Sequence, residues 1–453
     1  MTDLERNSTE RIPERAVVAA MLTQGADEER ALEEIRELLR TAGVDTVGVV
    51  VQRREDPHPT TFLGSGKVEE LGRLVEHFDP DIVVVDDALT PRQQRALEDR
   101  LKRRVLDRTA VILDIFALHA HTSEGKTQVE LAQLEYNLAR MRGMWTHLER
   151  LGAGGGTAGP GVGTRGPGES QLETDRRLAR RRISILRQRL KELQARRATQ
   201  RSARQNSITP KVALAGYTNA GKSTLLNALT GASVSMANRL FETLDPTTRA
   251  FERSGRRYLV TDTVGFIERL PHQLVDAFAS TLEETVLADL VVLVADGSQE
   301  EERLVAHLSA VRDVLAQVGA GDLPTVLALN KIDRLDPQQR EHLQRRHPDA
   351  VLVSAREQEN LDGLMDRIAQ EFASRWEHVE LLVPYSDAGV LAELYEAGAP
   401  VQRDDREDGI HASAHLPTRL VPRVAQYRIA ATDSARVADT TPADATAASE
   451  ART

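Results

Sequence analysis

The sequence has no cysteine in 453 residues, so disulfides, thiolate nucleophiles and cysteine-ligated zinc are excluded. Long apolar runs are also missing. The longest, such as Val291 to Ala295, fall far short of the ~20 residues that span a bilayer. The N-terminal segment MTDLERNSTERIPER is charged and lacks the apolar stretch of a signal peptide. There is no surplus of positive charge, because the net charge is −10, which argues against uniform coating of nucleic acid but allows a local basic surface. What is present, 40% hydrophobic and 28% charged residues, is ordinary globular usage and excludes collagen or wholesale disorder. These features read as a soluble, cytoplasmic, monomeric chain, with peripheral association with a membrane left open.

Five segments follow from patterning. Residues 1–120 alternate strand-like runs (Ala16 to Met21, Val47 to Val51, Ile82 to Val85) with helical spacing, as at Leu32, Ile35, Leu38 and Leu39. This predicts a small α/β domain with a mostly parallel sheet. Its loop Gly64-Ser65-Gly66 precedes a helix and is read as a tight turn, with phosphate binding as the alternative. Residues 121–207 carry two heptad-like seams. One comprises Leu131, Leu134, Leu138, Met141, Trp145 and Leu148, the other Ala179, Ile183, Leu186, Leu190 and Leu193. Joined by residues 152–168, of which nine are glycine, they predict an antiparallel helical hairpin arm with a flexible tip. Residues 208–376 predict a second α/β domain, residues 377–430 a small α+β domain, and residues 431–453 a disordered tail.

Charge follows the same boundaries. Ser123 to Ser207 hold 17 Lys/Arg against 8 Asp/Glu, and Arg176 to Arg204 hold 12 basic residues with Glu192 as the single acid. Such asymmetry on an arm favours a polyanion contact over a merely solvated helix face. After Tyr136 the arm's seam has one aromatic, Trp145, so backbone recognition of folded RNA fits better than base stacking.

The chemistry concentrates in the fourth segment. Gly216-Tyr217-Thr218-Asn219-Ala220-Gly221-Lys222-Ser223, followed by Thr224, is a P-loop between a strand (KVALA) and a helix (TLLNALT). Backbone N–H groups there can wrap phosphates, Lys222 can reach the β- and γ-phosphates, and the Ser223 hydroxyl can bind Mg²⁺. Asp262, Thr263, Val264 and Gly265 end another strand. Asp262 suits a water-mediated hold on Mg²⁺, and the Gly265 N–H suits a γ-phosphate oxygen. Thr247 in the preceding LDPTTR is assigned as a second Mg²⁺ hydroxyl that closes on the triphosphate. Asn330, Lys331 and Asp333 match the guanine-reading Asn-Lys-x-Asp pattern, and Ser354, Ala355 and Arg356 match its supporting loop. The chemistry expected is a P-loop GTPase that cleaves GTP to GDP and phosphate, with Lys222, Thr247 and Gly265 as catalytic groups. Two features depart from a Ras-like pattern. Phe266 stands where a glutamine often orients water, so intrinsic hydrolysis should be slow. Asn219 could coordinate K⁺ or simply brace its loop.

Beyond these motifs, TFLGSGKVEEL (Thr61 to Leu71), LTPRQQRALE (Leu89 to Glu98), Val105 to Tyr136, GTRGPGESQLETDRR (Gly163 to Arg177) and GYTNAGKSTLLNAL resemble the HflX family of ribosome-associated GTPases. The resemblance covers about residues 15–370. It implies a GTPase that binds the large ribosomal subunit, rRNA and ribosomal proteins included, pushes the arm toward the peptidyl-transferase region and helps split or rescue stalled ribosomes. It also raises an N-terminal adenine-nucleotide activity, for which the sequence offers only the Gly64-Ser65-Gly66 turn. The alternatives are a GTPase of tRNA modification or ribosome assembly, a membrane-associated signalling switch and an ATP-driven RNA helicase. The guanine-reading Asn330-Lys331-Ile332-Asp333 opposes the last.

Overall fold

In a computed structural model the described residues are 13–141, 167–205, 209–231, 240–241, 243–253, 255–267, 285–373, 376–396, 401–417 and 420–429. Met141 ends the described part of the first seam, so Trp145, Leu148, residues 152–166 of the glycine-rich tip and the tail 431–453 lie outside. Pro167 and Gly168, assigned by sequence to the tip, instead open a helix.

The chain forms two compact units. The first comprises residues 1–198, 211–249 and 260–361, the second residues 199–210, 250–259 and 362–453. The first unit opens with β1 (Glu14–Leu22), α1 (Glu28–Ala42), β2 (Val44–Arg53), α2 (Ser65–Phe78), β3 (Ile82–Val85), α3 (Pro91–Leu101) and β4 (Arg104–Asp107). Their sheet order is β2-β1-β3-β4, with every pairing parallel. Strands buried on both faces read as continuous β-branched runs, as IVVV in β3 does. The charged β4 carries no such run and was not legible as a strand. Helix starts are written locally: Asp27 caps α1, and Thr90 with Gln93 forms a capping box before Pro91. Gly64 caps α2, and its N–H donates to Gln52 Oε1 at 2.8 Å. That N–H is already used within the fold.

Two helices follow, α4 (Arg108–His119) and α5 (Ser123–Arg140), then the long α6 (Pro167–Gln205). Asp107 is fully buried and fixes the far end of α5. It accepts from Ala110 N at the start of α4, from Tyr136 Oη at 2.7 Å and from Arg140 Nη2 at 2.8 Å. Leu131, Ile183 and Leu186 bury together, with Leu134, Leu138 and Leu190 packed against them. Arg182 pairs with Glu130 and Arg187 with Glu135 across the two helices. The apolar contacts outweigh these exposed pairs: burying one leucine contributes about 1.5–3 kcal/mol, a surface ion pair under about 1.

The nucleotide-binding elements are β5 (Lys211–Gly216), α7 (Lys222–Thr230), β6 (Thr247–Arg253), β7 (Arg256–Asp262), β8 (Leu290–Asp296), α8 (Glu301–Gln317), β9 (Thr325–Asn330), α9 (Pro337–Arg346) and β10 (Val351–Leu352). Their sheet order is β10-β9-β8-β5-β7-β6, and β5, β8, β9 and β10 run parallel. In the second unit, α10 (Leu361–Ala373) leads to β11 (Trp376–Val383), α11 (Gly389–Glu396), β12 (Val401–Arg406) and β13 (Gly409–Pro417). These three strands form an antiparallel sheet ordered β11-β13-β12, with Val379, Leu381, Ile410 and Leu416 in its core.

Arg108, at the start of α4, is buried between Glu34 and Asp86, the latter at 2.7 Å. Burial alone would disfavour its charge, but the two carboxylates override that and raise its pKa. Replacing Arg108 with Met leaves two carboxylates in a low-dielectric site without their cation, and should cost about 3–5 kcal/mol. Chemical denaturation will measure this. Adding Glu34→Gln and Asp86→Asn to the same chain should recover part of the loss.

Candidate nucleotide site

The P-loop is shaped by close backbone approach. A Cβ on Gly216 would lie 2.1 Å from the Val294 carbonyl, so β5 can pair with β8 only with glycine there. Asn219 takes a left-handed φ of 61° at the loop's apex and is partly exposed. Gly221 caps α7, whose N-terminal N–H groups and dipole favour an anion. Lys222 is buried and donates to the carbonyls of Gly216 and Tyr217, both at 3.1 Å. Burial lowers its pKa to about 8 against the opposing pull of Asp262, so a nearby polyanion would be strongly stabilising.

Asp262 ends β7 and is buried, which raises its pKa against the opposing effects of Lys222, Ser223 and Thr243. Its Oδ2 accepts from Ser223 Oγ at 2.5 Å and from Thr243 Oγ1 at 2.9 Å, while those two hydroxyls lie 2.8 Å apart. Its Oδ1 is buried without a hydrogen-bond partner, as is Thr218 Oγ1. Two clustered hydroxyls, a carboxylate and an unsatisfied carboxylate oxygen are the donor set a hard divalent cation takes. Among the described residues no group of three His, Asp or Glu side chains could cage a metal, so such a cation would lean on these hydroxyls and on phosphate oxygens.

The threonine at this point corrects the sequence assignment. Thr247 opens β6 and is exposed, with no place in the Ser223–Asp262 cluster. Thr243, four residues earlier, occupies it. The sequence presents several threonines in one loop (Phe241-Glu242-Thr243-Leu244-Asp245-Pro246-Thr247-Thr248), and nothing in spacing alone ranks them. The decision comes from Leu240, Phe241 and Leu244, which bury beside α4 residues such as Ile112 and Phe116 and so orient Thr243 inward. Phe241 packs edge-on against Phe116 at 4.8 Å.

Gly265 lets its strand end approach the P-loop closely: a Cβ there would lie 2.7 Å from Thr218 Cγ2 and 3.0 Å from Lys222 Nζ. Phe266 bridges to the P-loop through Thr218 N–H, at 2.7 Å to its carbonyl, and its ring is buried with Ala215, Val291 and Leu293. It cannot orient water. Thr263 is buried and its hydroxyl donates to the Leu214 carbonyl, while Val264 packs in the N-terminal core. Thr224 lies on the first turn of α7.

The base-reading loops are tied together by one side chain. Asn330 Nδ2 donates to the Ala220 carbonyl, and its Oδ1 accepts from Ala355 N–H, both at 2.9 Å. Ser354 Oγ donates to Asp333 Oδ1 at 2.6 Å, fixing the carboxylate that can accept from guanine N1–H and the 2-amino group. Lys331 pairs with Asp296 at 2.8 Å. Burial opposes ionisation of Asp296, but Lys331 and Ser298 outweigh it and hold the carboxyl below its ordinary range. Arg356 is exposed beside Glu357. Ser298 and Asp296 carry no motif, and geometry alone brings them in.

The family models that match are those described as GTP-binding GTPase N-terminal (residues 29–117), GTP-binding GTPase Middle Region (119–204) and 50S ribosome-binding GTPase (211–331). The chain is 42% identical over 417 residues to a GTPase HflX of Caldanaerobacter subterraneus subsp. tengcongensis, covering 92% of this chain and 94% of that one. It belongs to the HflX family of GTPases. A GTPase HflX of Escherichia coli is 40% identical over 411 residues, covering 90% and 93%. A GTP-binding protein of Sulfolobus solfataricus solved with GDP is 25% identical with a TM-score of 0.41, covering 78% of this chain and 98% of that one. Like its HflX relatives, the protein is a GTP hydrolase with a P-loop GTPase fold.

In this HflX-family chain the N-terminal segment also lines the nucleotide region. A cavity of about 220 Å³ beside the P-loop is walled by Glu33, Glu34 and Glu37 of α1 together with Tyr217 and Lys331. Tyr217 Oη donates to Glu34, and its ring stacks on His307 with centroids 3.7 Å apart. Burial, then Arg303, pushes the His307 pKa from 6.5 down to about 4. The unfolded state therefore binds more protons between these values, and stability falls as pH drops through that window, by roughly 2–3 kcal/mol. His307→Phe keeps the stack and should flatten this dependence. Thermal unfolding of both proteins between pH 7 and 4.5 checks it, and equal slopes would contradict it.

Proposed function

We propose that the protein binds the large ribosomal subunit in its GTP form and hydrolyses GTP there, splitting or rescuing stalled or idle ribosomes. The observation that carries this is the basic face of α6. Arg177, Arg180, Arg181 and Lys191 are exposed and form no ion pair among the described residues, although the whole chain is acidic. Cations held on a rigid helix without acidic partners suit a phosphate backbone. The matched GTPase model is described by 50S ribosome binding, which agrees. Among the described residues no helix is long and apolar enough to cross a membrane.

In this reading the backbone of Gly216 to Ser223 wraps the phosphates, with Lys222 on the β- and γ-oxygens and the Gly265 N–H on the γ-phosphate. Asp333 reads guanine, with Asn330, Ser354 and Ala355 holding its loop. Ser223, Thr243 and Asp262, already joined by hydrogen bonds, would together hold a Mg²⁺ ion. Such an ion would supply positive charge to offset the charge of the phosphates. With Phe266 turned into the core, the ribosome supplies or orders the group that positions water.

Two experiments test the proposal. Thr243→Ala should weaken Mg²⁺-dependent binding of a GTP analogue at least tenfold and leave GDP binding within about twofold, whereas Thr247→Ala should change neither, since a lost ion contact is worth about 1.5–3 kcal/mol. Fluorescent-nucleotide titration with and without Mg²⁺ reads this directly. Co-sedimentation with purified large subunits should show binding with the analogue that GDP abolishes. Arg180→Glu with Arg181→Glu should weaken that binding and lower its salt slope by about 1–2. Equal pelleting with either nucleotide would remove the proposal.

A further inference from the structure

The loop that brings Thr243 to the nucleotide site also grips the first helix of the arm. Asp245, two residues on, accepts through Oδ2 from the N–H groups of His121 at 3.0 Å and Thr122 at 2.8 Å. Its Oδ1 accepts from Thr122 Oγ1 at 2.5 Å, and Thr122 in turn caps α5 through Gly125 N–H at 2.9 Å. The fit is close: a Cβ on Gly125 would lie 2.6 Å from Asp245 Oδ1. A carboxylate from a sequence-distant loop thus does work that helix starts normally assign to a local side chain.

The loop has little slack. Thr243 and Asp245 are two residues apart, a span of at most ~7 Å when extended. Leu240, Phe241 and Leu244 are buried on the N-terminal side, and Phe241 holds a left-handed φ of 55°, a conformation that persists in a bulky residue only when packing imposes it. The far end of α5 is pinned separately by Asp107 through Tyr136 and Arg140. A change in what Thr243 binds is therefore felt at the start of α5, while the other end stays fixed.

We infer that Asp245 is a positioning residue that transmits the occupancy of the nucleotide's metal site to the root of the arm. This rests on Thr243 being the metal-facing threonine. With the triphosphate and Mg²⁺ bound, Thr243 is held by the metal and Asp245 clamps Thr122. Loss of the γ-phosphate and of the metal's hold on Thr243 removes that support, and the clamp on Thr122 weakens while Leu240, Phe241 and Leu244 stay packed. By linkage, the clamp must also favour the triphosphate state over the diphosphate state.

Hydrogen exchange on the full-length protein, without ribosomes, tests this apart from the ribosome proposal. The amides of His121, Thr122 and Gly125 should exchange at least fivefold more slowly with Mg²⁺ and a non-hydrolysable GTP analogue than with GDP. Asp245→Ala should abolish that difference and lower the analogue-to-GDP affinity ratio about three- to tenfold, the range expected for a lost cap. Asp245→Asn preserves shape and should give an intermediate value if the alanine variant folds poorly. Equal protection in the two nucleotide states of the native protein, or a difference that survives in both variants, would overturn the inference. If Thr243→Ala leaves Mg²⁺-dependent affinity intact yet the amide difference persists, the metal-facing threonine is wrong and the clamp is driven from another point of the loop.

Discussion

The structure depends on one shared hydrophobic core. Leu240, Phe241 and Leu244 come from the nucleotide-binding part of the chain, yet they bury in the same cluster as Ile35, Ile112 and Phe116 of the N-terminal part. Val264 and Tyr217, from the phosphate-facing loops, join them. Three large apolar residues in one loop contribute on the order of 5–9 kcal/mol by area, comparable to the net stability of a domain. The loop therefore cannot leave its neighbour cheaply, and the hydroxyl of Thr243 is presented to Ser223 and Asp262 from a fixed base.

Electrostatics reinforces that base. Glu34 bridges Arg108 in the N-terminal domain and Tyr217 in the P-loop, and Arg303 of α8 pairs with Glu33 of α1. The Arg108 group is buried, so each charge is needed by its partners and none can be removed alone without a large penalty. The pairs Arg30–Glu300 and Arg303–Glu33 are far more exposed and contribute mainly to register. The P-loop is consequently held from two directions: by Asn330 from the base-reading side and by Glu34 from the N-terminal domain.

The arm shows the same division between what holds and what is offered. Leucines and Ile183 hold α5 against α6, and Arg182 and Arg187 spend their charge on Glu130 and Glu135. Arg177, Arg180, Arg181 and Lys191 are exposed and form no ion pair among the described residues. An isolated helix of this composition would repel itself. Packing its other face pays for keeping so many like charges in a row, which makes the row available to a polyanion.

Much of this was legible in the sequence. The P-loop, the Asp262-to-Gly265 strand end, Asn330-Lys331-Ile332-Asp333 and the Ser354 loop each sit at a strand-to-loop junction, where spacing along the chain fixes geometry locally. The alternating pattern of the first 120 residues was equally readable, as were the seam positions Leu131, Leu134, Leu138, Ile183, Leu186 and Leu190, because strand and helix periods are properties of the chain itself. The exposed threonine at 247, the charged strand β4 and the helical start at Pro167 and Gly168 were misread or missed, since local signals there are weak or point elsewhere. By itself, then, the sequence determined which chemistry the chain carries and which segments are helix or strand. Only the tertiary structure decided which threonine sits beside Ser223 and Asp262, that three glutamates of α1 wall a cavity beside the P-loop and that Asp245 holds the capping Thr122 of a helix more than a hundred residues away. Those outcomes depend on which apolar faces find each other across long sequence separations, and no local pattern records that pairing.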